Sequence, residues 1–351
     1  MKIFLEQVGH SELPRLLVKL HGLATEQRHC LVHDPTRADL ILFCGSWTFD
    51  GLTSWVVRHP LVQRYPDKCS AYNDEDSYLP LLPGVYCSPC NGYSTRIGRV
   101  CGYSYIARHA DKGNPLITDS AAPKEKDLVF SFQGSTTAFV RKRLFKTDFH
   151  RPDVLIEDTS SHQNWSDSPS MRQRLYVDTI ARSHFVLCPR GVGTGSHRLF
   201  EVMRMGGVPV LLADRYVLPK GPDWQSFLIR VKERDIVRLP AILESHRAHS
   251  VMMGQHARDA WERWFSTGQE FNQIIARCDS ALRAAIRIEF AYRMLRTFLV
   301  AQRLGSRWAR ARMRGGVLWA FNKTGLPFPY TVRDPGAVVP FNPLRDRDDI
   351  R

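Results

Sequence analysis

Residues 183–224 read SHFVLCPRGVGTGSHRLFEVMRMGGVPVLLADRYVLPKGPDW. An apolar run of strand length, His184 to Cys188, passes into a loop with glycines at 191, 193 and 195, and then into an amphipathic pattern. Leu199, Val202, Met203 and Gly206 recur at helical spacing as a face that packs on a sheet, and Ser196 is placed to cap that helix. Gly206 and Gly207 end it, and Val208 to Leu212 forms a second buried strand. The order strand, glycine loop, helix, strand is one βαβ crossover, and its two strands must run parallel.

His197, Arg198 and Glu201 share the other face of the short helix, because positions three and four apart on a helix are neighbours. Arg190 stands just ahead of the glycines. The loop thus gathers backbone N–H groups, a positive helix end and two guanidinium groups, which is what a diphosphate requires. Glu201, one turn deeper, can accept hydrogen bonds from a ribose diol. A glycine-rich turn alone carries little weight, since most α/β proteins contain one. The whole stretch carries more: C-P-R-G, then S-x-R-L-F-E, then G-x-V-P-V-L-L-x-D, then L-P and D-W at these intervals resemble the exostosin family of glycosyltransferases. The resemblance covers roughly residues 125 to 265.

With 351 residues, 43% of them hydrophobic, the chain can bury enough for two domains of ordinary size. Nothing near Met1 reads as a signal peptide and no apolar run approaches membrane-spanning length, so the expected location is cytoplasmic. The eight cysteines are scattered as in a reducing compartment. Cys87 and Cys90 form a C-x-x-C near Cys101, but a zinc site would need a further ligand from as far away as Cys69 or His109, so no metal is expected. The net charge of +14 fits nucleic acid, an anionic membrane surface or acidic substrates equally. No zinc-finger or RNP motif favours nucleic acid.

In the first third, Lys2 to Leu5, Cys30 to Val32 and Leu40 to Phe43 read as strands, and Glu12 to Leu23 and Leu52 to Arg64 as helices. Asp74, Glu75 and Asp76 follow another strand, where open α/β sheets face their ligand crevice. Asp74 and Asp76 are therefore candidate general bases for an acceptor hydroxyl, the alternative being a solvated turn. Gly, Pro, Ser and charge between Arg108 and Lys126 mark a domain boundary. A second βαβ pattern follows: a strand at Leu128 to Phe132, a turn at Gly134, a helix from about Thr137 carrying Arg141, and a strand at Val154 to Ile156. This S-F-x-G…R arrangement is also similar to exostosins. Gly134 and Arg141 join the donor-site candidates, although a helical arginine is often merely solvated. Beyond these, Met171 to Arg182 reads as a helix, Trp224 to Val231 as a strand, and Leu239 to about Phe265 as a long helix, with Glu233 and Asp235 at a turn.

Arg296, Arg303, Arg307, Arg310 and Arg314 lie on one stripe of a C-terminal helical pattern. Residues 283–323 can bind an anionic membrane surface or pack back on the body with their arginines in water. The organisation expected is an N-terminal acceptor-side Rossmann-like domain at 1–123, a nucleotide-sugar-binding one at 124–270, and a basic helical extension at 271–351. The resemblance implies an α/β protein of the GT-B type, with Gly134, Arg141, Arg190, Gly191, Gly193, Gly195, Ser196, Arg198 and Glu201 around the donor. It implies inverting transfer from a UDP-sugar to a glycan or lipid-linked glycan, and because the arginines and the helix end can offset the charge of the departing nucleotide, no metal or other cofactor is expected. An inactive scaffold that binds sugar or nucleotide on the same fold is the alternative. Eukaryotic exostosins are typically anchored in the Golgi; a chain read as unanchored fits bacterial surface polysaccharide synthesis.

Overall fold

A computed structural model of the protein describes residues 1–48, 51–106, 113–118, 125–160 and 169–286. Two parallel sheets organise them. The first contains β1 (Lys2–Gln7), β2 (Cys30–Leu31), β3 (Leu40–Cys44), β4 (Cys69–Asn73), β5 (Gly84–Tyr86) and β6 (Val100–Gly102), in the order β2-β1-β3-β4-β5-β6. The second contains β7 (Leu128–Gly134), β8 (Val154–Asp158), β9 (Ser183–Pro189), β10 (Val208–Leu212) and β11 (Ile229–Arg230), in the order β11-β10-β9-β7-β8. Every pairing within these sheets is parallel, so each link is a crossover. The chain therefore has two Rossmann-like α/β sheets, the architecture of the GT-B type.

The strand orders locate the functional region. In the second sheet β7 pairs with β8 on one side and β9 on the other, so the chain leaves β7 in one direction and returns beside it in the other. Crossover loops diverge at such a switch point and open a crevice at the strands' carboxyl ends. Here those ends are Gln133–Gly134 and Pro189–Arg190. β3, β4 and β10 are wholly buried, as their continuous apolar runs require of strands covered on both faces.

Helices of the first half are α1 (Leu13–Leu23), α2 (Thr53–Arg58), α3 (Pro60–Arg64) and α4 (Tyr93–Arg96); those of the second are α5 (Phe139–Lys146), α6 (Pro169–Arg182), α7 (Arg198–Arg204), α8 (Leu239–Glu244), α9 (Ser250–Trp264) and α10 (Thr267–Ile286). The single helix expected over 52–64 is two. Pro60 clashes with a helical conformation at the residue before it, and His59 takes ψ 134° and caps α3 through its ring. The long helix expected from 239 is also interrupted. The carbonyl of Ile242 is taken by the Ser245 hydroxyl (2.8 Å) and His246 Nδ1 (2.9 Å), side-chain bonds that compete with the next helical turn. Of the strand expected over 224–231 only Ile229–Arg230 pairs, because Trp224–Ser226 is a 3-10 turn held by the Trp224 indole on the Pro219 carbonyl (2.7 Å).

The expected extension from residue 271 begins inside α10, which is continuous from Thr267 and returns to the first half, packing on β4, β5, β6 and α1. The basic stripe, Arg296 to Arg314, lies outside the described residues, as does the expected boundary at 123/124. Among the described residues no helix is long and apolar enough to cross a membrane.

Glu270, in the first turn of α10, is 1% exposed, and its Oε1 has no hydrogen-bond partner. Burial pushes its carboxyl up to about 8, partly opposed by the charge of Arg204. A carboxyl raised in the folded state binds a proton there that the unfolded chain has already released, so stability falls as pH rises from about 4.5 to about 8. Glu270→Gln is expected to flatten that decline, whose slope is up to ~1.4 kcal/mol per pH unit. Urea unfolding of both proteins across that window measures it, and parallel curves would refute the assignment.

Candidate functional site

The crevice is built on two arginines. Arg198 opens α7 and Arg141 lies in α5, and both guanidiniums stand over the ring of Phe132 in β7, at 4.4 Å and 5.5 Å from its centroid. Arg198 is 8% exposed and Arg141 9%. Among the described residues neither has a carboxylate within 4.0 Å, unlike Arg190, which pairs with Glu233 at 2.9 Å. Burying like charges together is unfavourable unless something offsets them. Neutral oxygens do so in part.

Arg141 donates to the carbonyls of Arg190 (3.0 Å), Ser135 (3.2 Å) and Pro189 (3.2 Å), tying together the loops that leave β7 and β9. Burial, reinforced by Arg198, lowers its pKa to about 10. Arg198 donates to the Gln133 carbonyl and to the Tyr176 hydroxyl (3.0 Å). Its Nη1 has no partner, and neither does the buried Oγ of Ser196, two residues earlier in the chain. Tyr176, from α6, donates in turn to Glu201 Oε2 at 2.6 Å, and Glu201 Oε1 lies 4.0 Å from His197 Nε2.

The expected roles divide accordingly. Arg198 and Glu201 belong to one buried network at the crevice, while Arg190 is engaged by Glu233, whose Oε1 also accepts from the Asp214 N–H at 3.3 Å. Ser196 does not cap α7. The cap position is His197, and no side chain bonds there. α7 has seven residues, so the charge at the crevice is carried by side chains more than by a helix dipole.

The glycines serve close packing. A β-carbon at Gly134 would stand 2.9 Å from Phe132 Cζ and 3.3 Å from Arg198 Nη2, crowding the stacked guanidinium. One at Gly191 would touch Arg141 Nη2 at 3.4 Å. At Gly193 it would meet Ser88 Oγ at 2.2 Å and Asp76 Oδ1 at 2.7 Å, and at Gly195 the Tyr216 ring at 2.8 Å and the Cys87 carbonyl at 3.2 Å. The last two glycines therefore admit the first half of the chain to the loop.

That contact places the acidic cluster. Asp76 is exposed, lies beside Gly193, and accepts from the Tyr105 hydroxyl at 3.2 Å; the Tyr105 and Ser88 hydroxyls are 2.6 Å apart. Tyr105 is held far above its usual pKa by burial and then by Asp76. Its ring stands 6.5 Å from that of His197. Glu75 is turned away, accepting from Thr48 N–H (2.6 Å) and Asn73 (3.2 Å), and Asp74 is half-buried. The halves are stitched nearby: Cys90 bridges Tyr216, Asn91 N–H donates to Arg215 O (2.8 Å), Val217 N–H to Pro89 O (3.2 Å), and the Thr194 hydroxyl to Pro89 O (3.1 Å).

Tyr176, Phe132, Ser88 and Tyr105 complete the crevice without having been singled out for it. Helical spacing marks Tyr176 only as an inward residue, and nothing in a single chain says that Ser88 faces residue 193. No group of three or more metal-binding side chains occurs among the described residues, and Cys87 donates to the Ser104 carbonyl at 3.1 Å. His109 lies outside them.

Fold and site together define an α/β protein of two Rossmann-like halves, with two buried guanidiniums at the switch point of the second sheet. Residues 110–246 match the exostosin GT47 domain. It is similar to an exostosin-1 homolog of Caenorhabditis elegans, 30% identical over 138 residues, which is 36% of this chain and 36% of that protein. Similarity extends to exostosin-2 of Bos taurus (33% over 129 residues; 34% of this chain, 18% of that one). A probable glucuronoxylan glucuronosyltransferase, IRX7, of Arabidopsis thaliana is 44% identical over 77 residues, 21% of this chain and 17% of that one. The chain thus spans well under half the length of these relatives. Among solved structures, MurG of Acinetobacter baumannii aligns with 78% of this chain and 99% of that one at a TM-score of 0.34 and 10% identity.

Gly193→Ala is expected to destabilise the protein by ~1–3 kcal/mol in urea unfolding, because the new methyl collides with Ser88 and Asp76. Ser88→Gly in the same chain should recover part of that loss. An unchanged midpoint for Gly193→Ala would mean that the halves do not meet there in solution.

Proposed function

We propose that the chain is a glycosyltransferase that moves a sugar from a nucleotide-diphosphate sugar, a UDP-sugar by family resemblance, to a glycan or lipid-linked glycan. The observation that carries the reading is the pair of buried guanidiniums on Phe132, with no carboxylate within 4.0 Å of either among the described residues and with one Arg198 nitrogen unpartnered. A diphosphate supplies the missing negative charge. Relatives that share the domain bear exostosin and glucuronosyltransferase names.

In this reading the diphosphate binds at Gly134, Arg198 and Ser196, and Glu201 receives the ribose hydroxyls. Arg141 and Gly191 hold the floor of the pocket, and Gly193 and Gly195 seat the acceptor half against it. Asp76, at the rim of the glycine loop, takes the proton of the acceptor hydroxyl. The freed oxygen attacks the anomeric carbon from the face opposite the phosphate, the bond from that carbon to the β-phosphate oxygen breaks, and the sugar is inverted. Charge then grows on the departing nucleotide. Arginines fixed before the reaction stabilise that charge more than they stabilise the ground state, a role a divalent cation fills elsewhere.

Calorimetry with a panel of nucleotide sugars, without added metal, tests the donor site. One nucleoside diphosphate series should bind wild type, and Arg198→Ala should lose ~2–4 kcal/mol of that affinity. Asp76→Asn should bind the same donor unchanged while transfer falls ~100-fold or more. Chelator should change neither quantity. Absence of binding by every donor would remove the transferase reading, and full turnover by Asp76→Asn would remove Asp76 as base.

A further inference from the structure

Arg198 and Glu201 stand three apart on α7, the spacing at which an arginine and a glutamate on one helix ordinarily pair. They are both buried, where direct attraction would be strongest, yet no ion pair within 4.0 Å joins them. What lies between is the phenol of Tyr176, delivered from α6. Guanidinium nitrogens only donate, so the phenol oxygen accepts from Arg198 Nε at 3.0 Å and spends its single proton on Glu201 Oε2 at 2.6 Å. The bonds run one way, from arginine through phenol to carboxylate. Two polar atoms are left over on the outer ends: Arg198 Nη1, which has no partner, and Glu201 Oε1, 4.0 Å from His197.

We infer that Tyr176 is a positioning residue whose hydroxyl holds this arginine and glutamate apart, so that the guanidinium stays available to an anion and the carboxylate to the hydroxyls of the same ligand. A direct pair would satisfy both groups within the protein and leave neither free for a ligand. With the phenol interposed, the helix keeps a cation and an anion side by side without cancelling either. Such a pair suits a ligand that carries phosphates next to a diol. The phenol is itself buried, which raises its pKa far above the usual value, so the bridging proton stays in place at neutral pH. Its ring lies under Arg198, with the centroid 5.4 Å from the guanidinium carbon. A phenylalanine would keep that packing and remove only the spacer.

The inference rests on reading the pocket as a diphosphate site, so the test uses inorganic pyrophosphate, which needs the arginine but no ribose or sugar contact. Binding is measured by calorimetry on the full chain as wild type, Tyr176→Phe, Glu201→Gln and the double variant, with thermal unfolding alongside and a crystal structure of Tyr176→Phe. The expected result is pyrophosphate affinity lowered at least about tenfold in Tyr176→Phe, with Arg198 and Glu201 in direct contact in its structure. Removing the carboxylate charge should restore binding, bringing the double variant within about threefold of Glu201→Gln, because no anion is then left to capture the arginine. A packing defect would not be rescued in that way. Should Tyr176→Phe fail to fold, the comparison of Glu201→Gln with the double variant still decides, equality being the expected outcome. The inference is overturned if Tyr176→Phe binds like wild type, if the double variant is much weaker than Glu201→Gln, or if wild type does not bind pyrophosphate. The expected binding pattern without sugar transfer to any acceptor would uphold the spacer and remove the transferase reading.

Discussion

Two positive charges lie over one benzene ring at the end of β7, and much of the second half follows from having to hold them there. Arg141 is restrained by three main-chain carbonyls drawn from two different loops. Those loops meet because β7 and β9 are neighbours at the point where the strand order turns. Arg198 is restrained by a carbonyl at the end of β7 and by a phenol from α6. A cation buried without a direct ion pair costs the fold stability, and it persists where surrounding dipoles are fixed well enough to offset part of the cost. The pocket is thus charged in advance, and its donors do not have to reorganise when a ligand arrives.

The glycine loop has a different part from the one its spelling suggests. Of its glycines only Gly191 faces an arginine; Gly193 and Gly195 face Ser88, Asp76, Cys87 and Tyr216. Their missing β-carbons bring the first sheet's loops into van der Waals contact with the second sheet's crevice. This places an exposed carboxylate and two linked hydroxyls at the rim of a cationic pocket. Neither half holds both kinds of group by itself.

Much of this was legible in the chain. The βαβ signature at 183–212 gave the parallel sheet, and helical spacing put Arg198 and Glu201 on one face of α7. Two things were not legible. One was which side chains are consumed by the protein: Arg190 and Glu233 are 43 residues apart, and their pairing depends on a turn after β11 that carries no pattern of its own. The other was contact between halves. The contact of Asp76 with Gly193 follows from the path of the residues after β4, and alternation along an irregular loop does not predict it. Helix ends were misread where a local side-chain bond or a proline outweighed apolar periodicity, at Ser245–His246 and at His59–Pro60.

The return of α10 to the first sheet changes what counts as a unit. The stretch that matches the family by sequence ends at residue 246, before α9 and α10 begin. α9 packs on α7, β9 and β10, whereas α10 covers β4 to β6, so the two sheets share a continuous stretch of chain as their cover. What is recognisable by descent is therefore not what can be cut out and refolded. A fragment limited to residues 110–246 would carry the cationic pocket but leave β9 and β10 bare on the side that α9 protects, and its exposed apolar surface would favour aggregation over folding.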